Sequence, residues 1–303
     1  MKFQGIYPPA VTPYGADGTV DKAAYADVLE SLIEAKVHGI IVGGSTGEYY
    51  AQTAQERFDL ASTAKGIVGS RTPLIIGTGA TRTEDSIEYA KAAKAIGADA
   101  ILVSSPPYAM PTERENAVHA LAIDRAANLP IMLYNYPARM GVSMGEEYFS
   151  RVGKSRNVVA IKEASGDMAQ VHMLAREFPH INLSCGWDDQ ALEFFAWGAQ
   201  SWVCAGANFL PGEHIALYEA CVLEKNFDKG RKIMSAMLPF MALLDGGKFV
   251  QSIKFGCELT GLKVGPVRAP LRPLNSEEKS ALQTVITNLK RTIAQITSGA
   301  NNA

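Results

Sequence analysis

The chain has 303 residues, 47% hydrophobic and 20% charged, and its 29 basic and 31 acidic side chains leave a formal net charge of -2. With a pI near 6.2, this balance gives no electrostatic footprint for nucleic acid or an anionic membrane. No basic segment precedes an apolar run at Met1, and no apolar stretch reaches about 18 residues. Neither secretion nor a membrane span is predicted, and a cytoplasmic address follows by default.

Short apolar runs recur along the chain. Strands are expected at residues 6–11, 39–42, 74–77, 100–103, 131–135, 158–162, 181–184 and 201–204. Each is separated from the next by enough chain for a crossover helix. Thr53 with Glu56, Thr81 with Glu84 and Thr112 with Glu115 fit the capping box, and Gly66, Gly97 and Gly153 fall near expected helix ends. Eight such units over residues 1–222 predict a closed (β/α)8 TIM barrel. Residues 223–303 have helical periodicity and predict a helical extension packed on the barrel, fraying over 298–303. An open doubly wound sheet would carry a Gly-rich phosphate fingerprint after its first strand, and Thr12-Pro13-Tyr14-Gly15 does not fit one.

The sixth run, Val158-Val159-Ala160-Ile161-Lys162, ends in an amine. In a barrel, the carboxyl ends of the strands are where chemistry sits. Burial disfavours the charged amine and moves its pKa from about 10.4 toward about 7–8, where it can attack a ketone to form a Schiff base. The alternative is a lysine paired with Glu163 or capping the barrel rim. Strict alternation puts Val158, Ala160 and Lys162 on one face and Val159 and Ile161 on the other. On the preceding strand Tyr134 shares a face with Met132 at the carboxyl end, as a proton shuttle or as a barrel-filling aromatic.

The second strand runs into Gly43-Gly44-Ser45-Thr46-Gly47-Glu48. Its glycines let the backbone bend and turn amides toward a carboxylate or phosphate, or else form only a tight turn. Ser45, Thr46 and Gly47 are its candidate binding residues. Arg139, after the fifth strand, suits a bidentate carboxylate or an ordinary surface loop. Tyr108 follows two stiffening prolines, and Asp188 with Asp189 either cap a helix or hydrogen-bond substrate hydroxyls. The five histidines are scattered with no metal-binding spacing, and the four cysteines are far apart and read as reduced, buried thiols.

Three segments in this order, GGSTGE at 43–48, YNYPARMG at 134–141 and IKEASGD at 161–167, resemble the dihydrodipicolinate synthase / N-acetylneuraminate lyase family of class I aldolases. The resemblance spans essentially the whole chain. It implies that Lys162 forms a Schiff base with pyruvate or another 2-keto acid, and that Tyr134 is the general acid/base. It implies too that Ser45 and Thr46 hold the keto-acid carboxylate, with Ser45 relaying protons between Tyr134 and Tyr108. Tyr108 would enter a neighbouring subunit's site, which implies a homo-oligomer, a dimer or a tetramer of paired dimers. Arg139 matches the residue that holds the second substrate's carboxylate in the synthases, and Val203 a position whose carbonyl lines the pocket. No cofactor is implied.

Departures from the family pattern concern the outer half of the site. Ser45 stands where synthases usually carry threonine and so resembles the lyases, whereas Arg139 points to the synthases. Pro107, Tyr49, Tyr50, Ala54 and Arg57 lack the groups of the lysine-inhibited site, and bulky Trp187 is expected to reshape the outer pocket. The expected activity is 4-hydroxy-tetrahydrodipicolinate synthase. The alternatives are an aldolase or dehydratase of 2-keto-3-deoxy sugar acids, a hydroxypyrroline-carboxylate deaminase, and a catalytically silent keto-acid-binding barrel.

Overall fold

The computed structural model describes residues 2–298. Eight parallel strands, β1 (Gly5–Ile6), β2 (Ile40–Val42), β3 (Leu74–Gly77), β4 (Ala100–Ser104), β5 (Ile131–Asn135), β6 (Val158–Glu163), β7 (Asn182–Cys185) and β8 (Ser201–Trp202), pair in the order β1-β8-β7-β6-β5-β4-β3-β2. A parallel bridge between Pro9 and Ile41 joins the two ends, with Ala10 N–H donating to the Ile41 carbonyl at 2.8 Å. The barrel is therefore closed, as the eight apolar runs predict. Its first strand is shorter than the expected 6–11, because Pro8 and Pro9 have no N–H to give to the ladder.

The barrel helices are α1 (Lys22–Glu34), α2 (Ala54–Val68), α3 (Thr83–Ala95), α4 (Glu113–Ala127), α5 (Pro137–Met140), α6 (Glu146–Val152), α7 (Met168–Glu177), α8 (Ala191–Ala196) and α9 (Pro211–Tyr218). Thr53 and Thr112 form the expected capping boxes at α2 and α4. Thr81 does not. Helix α3 starts two residues later, with Arg82 at the N-cap and no side-chain cap. Gly66 lies inside α2, which ends at Gly69, whereas Gly97 and Gly153 do sit at the ends of α3 and α6.

A layer of apolar side chains outside the sheet packs the helices on it, and a second cluster, including Ile41, Ile75, Leu102, Met132 and Ala160, fills the barrel. The strict alternation expected along β6 fails at its start. The register slips between Ile131 and Met132, so Met132 pairs with Ala160 and Val159 is bulged out of the count. Val158 therefore packs in the outer layer while Val159 leans on the inner one. Ala160 and Lys162 still face inward.

Helices α10 (Phe227–Asp245), α11 (Phe249–Leu259) and α12 (Ser276–Thr297) follow, and Ile233, Phe240, Ile253 and Ile286 join the same outer apolar layer. Ser298 caps α12, and the rest of the tail expected to fray lies outside the described residues. All four cysteines are buried and unpaired with one another. Among the described residues, no helix is long and apolar enough to cross a membrane.

Candidate active site

At the carboxyl ends of the strands lies a cavity of about 640 Å³, lined among others by Ser45, Thr46, Tyr134, Tyr136, Arg139, Lys162, Trp187, Asp188 and Val203. Lys162 and Tyr134 are register partners on β6 and β5. The Lys162 Nζ stands 4.1 Å from the centre of the Tyr134 ring. Only 9% of the lysine is exposed.

Glu163 does not neutralise Lys162. Pointing to the other face, its carboxylate accepts from Asn135 Nδ2 at 2.8 Å and Ser165 N–H at 2.6 Å. Gly186 makes room for the lysine: a Cβ there would come within 2.7 Å of Lys162 Cγ and 2.8 Å of the Glu163 carbonyl.

Desolvation lowers the Lys162 pKa to about 8, against the attraction of Asp188, which favours the charged form. Burial acts on Asp188 too and raises its pKa to about 7, while the Trp202 indole N–H, donating at 2.9 Å, favours the carboxylate. That bond answers the capping alternative: Asp188 holds an indole, not a helix end. Burial also pushes the Tyr134 phenol up, so it stays protonated at neutral pH, with the Ser45 hydroxyl pulling the other way.

A consequence of the lowered amine is a pH profile. Only the neutral amine attacks a carbonyl, so imine formation with pyruvate should rise about tenfold per pH unit below pH 8 and level off above it. Stopped-flow measurement of imine formation between pH 6 and 10 reads this directly. A rise continuing to pH 10 would mean an ordinary exposed lysine.

Ser45 and Thr46 form a single 3₁₀ turn with Gly47 after β2, which Gly43 starts at φ +70°. Both hydroxyl residues line the cavity, but Gly47 does not. The Gly47 carbonyl accepts from Thr12 Oγ1 at 2.9 Å and Gln52 Nε2 at 2.7 Å, and its N–H is spent on the Gly44 carbonyl. Arg139 reaches the cavity mouth from α5, its guanidinium 5.5 Å from the Tyr136 ring centre and, among the described residues, without a carboxylate partner. Val203 lines the wall. Trp187 forms part of the outer pocket, edge-on to Tyr136 at 6.3 Å. Tyr108 is not brought into this chain's cavity: it projects with 94% of its surface exposed and φ at +70°.

Sequence reading missed the other wall. Asp245, Gly247, Lys248, Phe249, Val250 and Gln251, from the end of α10 and the start of α11, close the outer half of the cavity. The glycine pair Gly246-Gly247 between Asp245 and Lys248 was the available signal for a functional loop there.

A barrel with a desolvated strand-end lysine facing a phenol and a hydroxyl-bearing turn is a lyase of the Schiff-base-forming class. Residues 2–289 match the model of the dihydrodipicolinate synthetase family. The chain belongs to that family. It is 35% identical over 270 residues to a 4-hydroxy-tetrahydrodipicolinate synthase of Exiguobacterium sibiricum, covering 89% of this chain and 92% of that one. The structure of the corresponding enzyme from Methylacidiphilum fumariolicum superposes with a TM-score of 0.93 at 30% identity, covering 98% and 99% of the two chains. A dihydrodipicolinate synthase from Acinetobacter baumannii, solved with pyruvate, gives 0.90 at 29% identity over 95% and 99%.

Proposed function

We propose that this protein is a 4-hydroxy-tetrahydrodipicolinate synthase, condensing pyruvate with aspartate semialdehyde through an imine on Lys162. The observation that carries the reading is the desolvated Lys162 amine against the Tyr134 ring, with Ser45 and Thr46 on the same cavity wall. Lys162 nitrogen attacks the keto carbon and the oxygen leaves as water, giving a protonated imine. That cation draws electrons from the adjacent methyl group, which gives up a proton and becomes an enamine. The enamine carbon bonds to the aldehyde carbon, and the aldehyde oxygen takes a proton. Tyr134, kept protonated by its burial, serves as donor and then acceptor in these transfers. Lys162 is freed when water or an amine replaces it at the imine carbon. Ser45 and Thr46 hold the keto-acid carboxylate, and Arg139, at the mouth and without a carboxylate partner among the described residues, takes the carboxylate of the incoming aldehyde.

Tyr108 serves a neighbouring subunit. A bulky side chain exposed to this degree and held at positive φ suits a partner's site, which makes the working form at least a dimer.

The outer wall favours a second reading. Asp188 and Asp245 stand among the cavity residues; burial, with Asp245 nearby, raises the proton affinity of Asp188, and burial, with Asp189 nearby, raises that of Asp245. Such carboxyls suit a hydroxyl-rich acceptor, as in cleavage or dehydration of 2-keto-3-deoxy sugar acids. Assay of the protein with pyruvate plus aspartate semialdehyde, and separately with 2-keto-3-deoxy acids, decides between them. The synthase reading predicts turnover of the first pair, and an Arg139→Ala variant whose KM rises at least tenfold for the semialdehyde, on the order of a lost charge-assisted pair, but little for pyruvate. Pyruvate release from the sugar acids by cleavage, or their conversion by loss of water, without turnover of the first pair would favour the second reading.

A further inference from the structure

Glu48 and Lys254 form an ion pair at 2.8 Å with side chains 0% and 3% exposed, and neither lines the cavity. Glu48 follows directly on the Ser45–Gly47 turn, closes it by donating its N–H to the Ser45 carbonyl at 3.2 Å, and is held at φ +57°, a region unfavourable for glutamate. Its second oxygen accepts from the Arg268 N–H at 3.0 Å. Lys254 donates to the Pro266 carbonyl at 2.8 Å and lies 4.4 Å from the Tyr14 ring centre. The Arg268 guanidinium covers Tyr14 at 4.2 Å and is itself anchored by Glu56 and the Gly18 and Ala51 carbonyls. Lys254 lies on α11, whose first turn supplies Phe249, Val250 and Gln251 to the outer cavity wall.

Two charges are thus buried where the inner turn meets the C-terminal helices. Well-packed apolar residues often replace a buried ion pair at no loss of stability, so the pair is weak evidence of a purely stabilising role. We infer that Glu48 and Lys254 are positioning residues, setting the Ser45-Thr46 turn for the keto-acid carboxylate and registering the α11 end of the pocket against it. The inference rests on the Schiff-base reading above. Removing the pair lets the turn relax from its unfavourable Glu48 backbone while Lys162 and Tyr134, on β6 and β5, stay in place. Keto-acid binding should weaken while the chemistry of the amine survives.

The test is the pyruvate concentration giving half-maximal borohydride trapping of the imine, which needs no knowledge of the second substrate. Glu48→Asp keeps the charge and tolerates positive φ, but its shorter reach cannot hold both Lys254 and Arg268. It should raise that concentration at least about fivefold, as a small displacement of a binding group does, with the maximal extent of trapping retained. The double variant Glu48→Gln with Lys254→Met removes both charges. It should show the same weakened pyruvate dependence, with its melting temperature measured alongside to separate local from global effects. A parent-like pyruvate dependence in Glu48→Asp, or in a double variant of unchanged stability, would overturn the proposal. No adduct in the parent protein would refute the underlying reading and this proposal with it.

Discussion

Lys162→Met is expected to lose at least ~10⁴-fold in turnover, the scale seen when a covalent nucleophile is removed. Without the amine there is no imine, and without the imine nothing withdraws electrons from the keto-acid methyl group. Among the described residues, the other lysine lining the cavity, Lys248, is held by Glu278 at 2.6 Å on the outer wall. Lys254, the other buried lysine near this end of the barrel, is committed to Glu48 and the Pro266 carbonyl. Methionine matches the length of the lysine stem, so packing against Ala160 and Gly186 is preserved.

Stability should move the other way. Burial lowers the lysine from its usual 10.5 to about 8. The folded state therefore carries a cost of roughly 3 kcal/mol, fully present below pH 8 and gone above pH 10.5, because only the protonated amine is penalised. Part of that cost disappears in the variant, and its melting temperature at pH 7 should equal or exceed the parent's. Loss of activity with a lowered melting temperature would point to a structural lysine instead. Steady-state assay and calorimetry on the same preparation separate the two.

Tyr134→Phe carries the second large effect. Phenylalanine fills the same volume beside the amine, so the cavity and the lowered Lys162 pKa are maintained. What disappears is the proton at the phenolic oxygen, and turnover should fall by about 10²–10⁴-fold. Borohydride should still label Lys162 in this variant, more slowly, since water can serve poorly in the phenol's place. A catalytically silent keto-acid-binding barrel would behave differently: its ligand affinity would scarcely change and there would be no turnover to lose. Turnover within about tenfold of the parent would remove Tyr134 from the proton path.

Much of the inner site could be read from residue order. The run ending at Lys162, its alternation with Ala160 and the register with Tyr134 follow from period-two geometry, and the bulge at Val159 altered only the residues before Ala160. The shortened first strand was also decidable locally, from Pro8 and Pro9. The rest depends on distant pairings. Asp245, Lys248 and Gln251 reach the cavity only because α10 and α11 fold back over the barrel mouth, and their local pattern is that of any charged turn. Glu48 and Lys254 look like two surface charges in the sequence, and only tertiary packing makes them one buried pair. Gly47 belongs to the glycine-rich turn, but its carbonyl accepts from Gln52 and from Thr12 and it does not line the cavity, the Thr12 pairing spanning 35 residues that local pattern does not show.

The most direct measurement is reduction of the protein with borohydride in the presence of pyruvate, followed by mass mapping of its peptides. The account predicts a single pyruvate-derived adduct on the peptide carrying residue 162, absent when pyruvate or borohydride is omitted. An unmodified Lys162 under saturating pyruvate, or an adduct confined to another lysine, would contradict it.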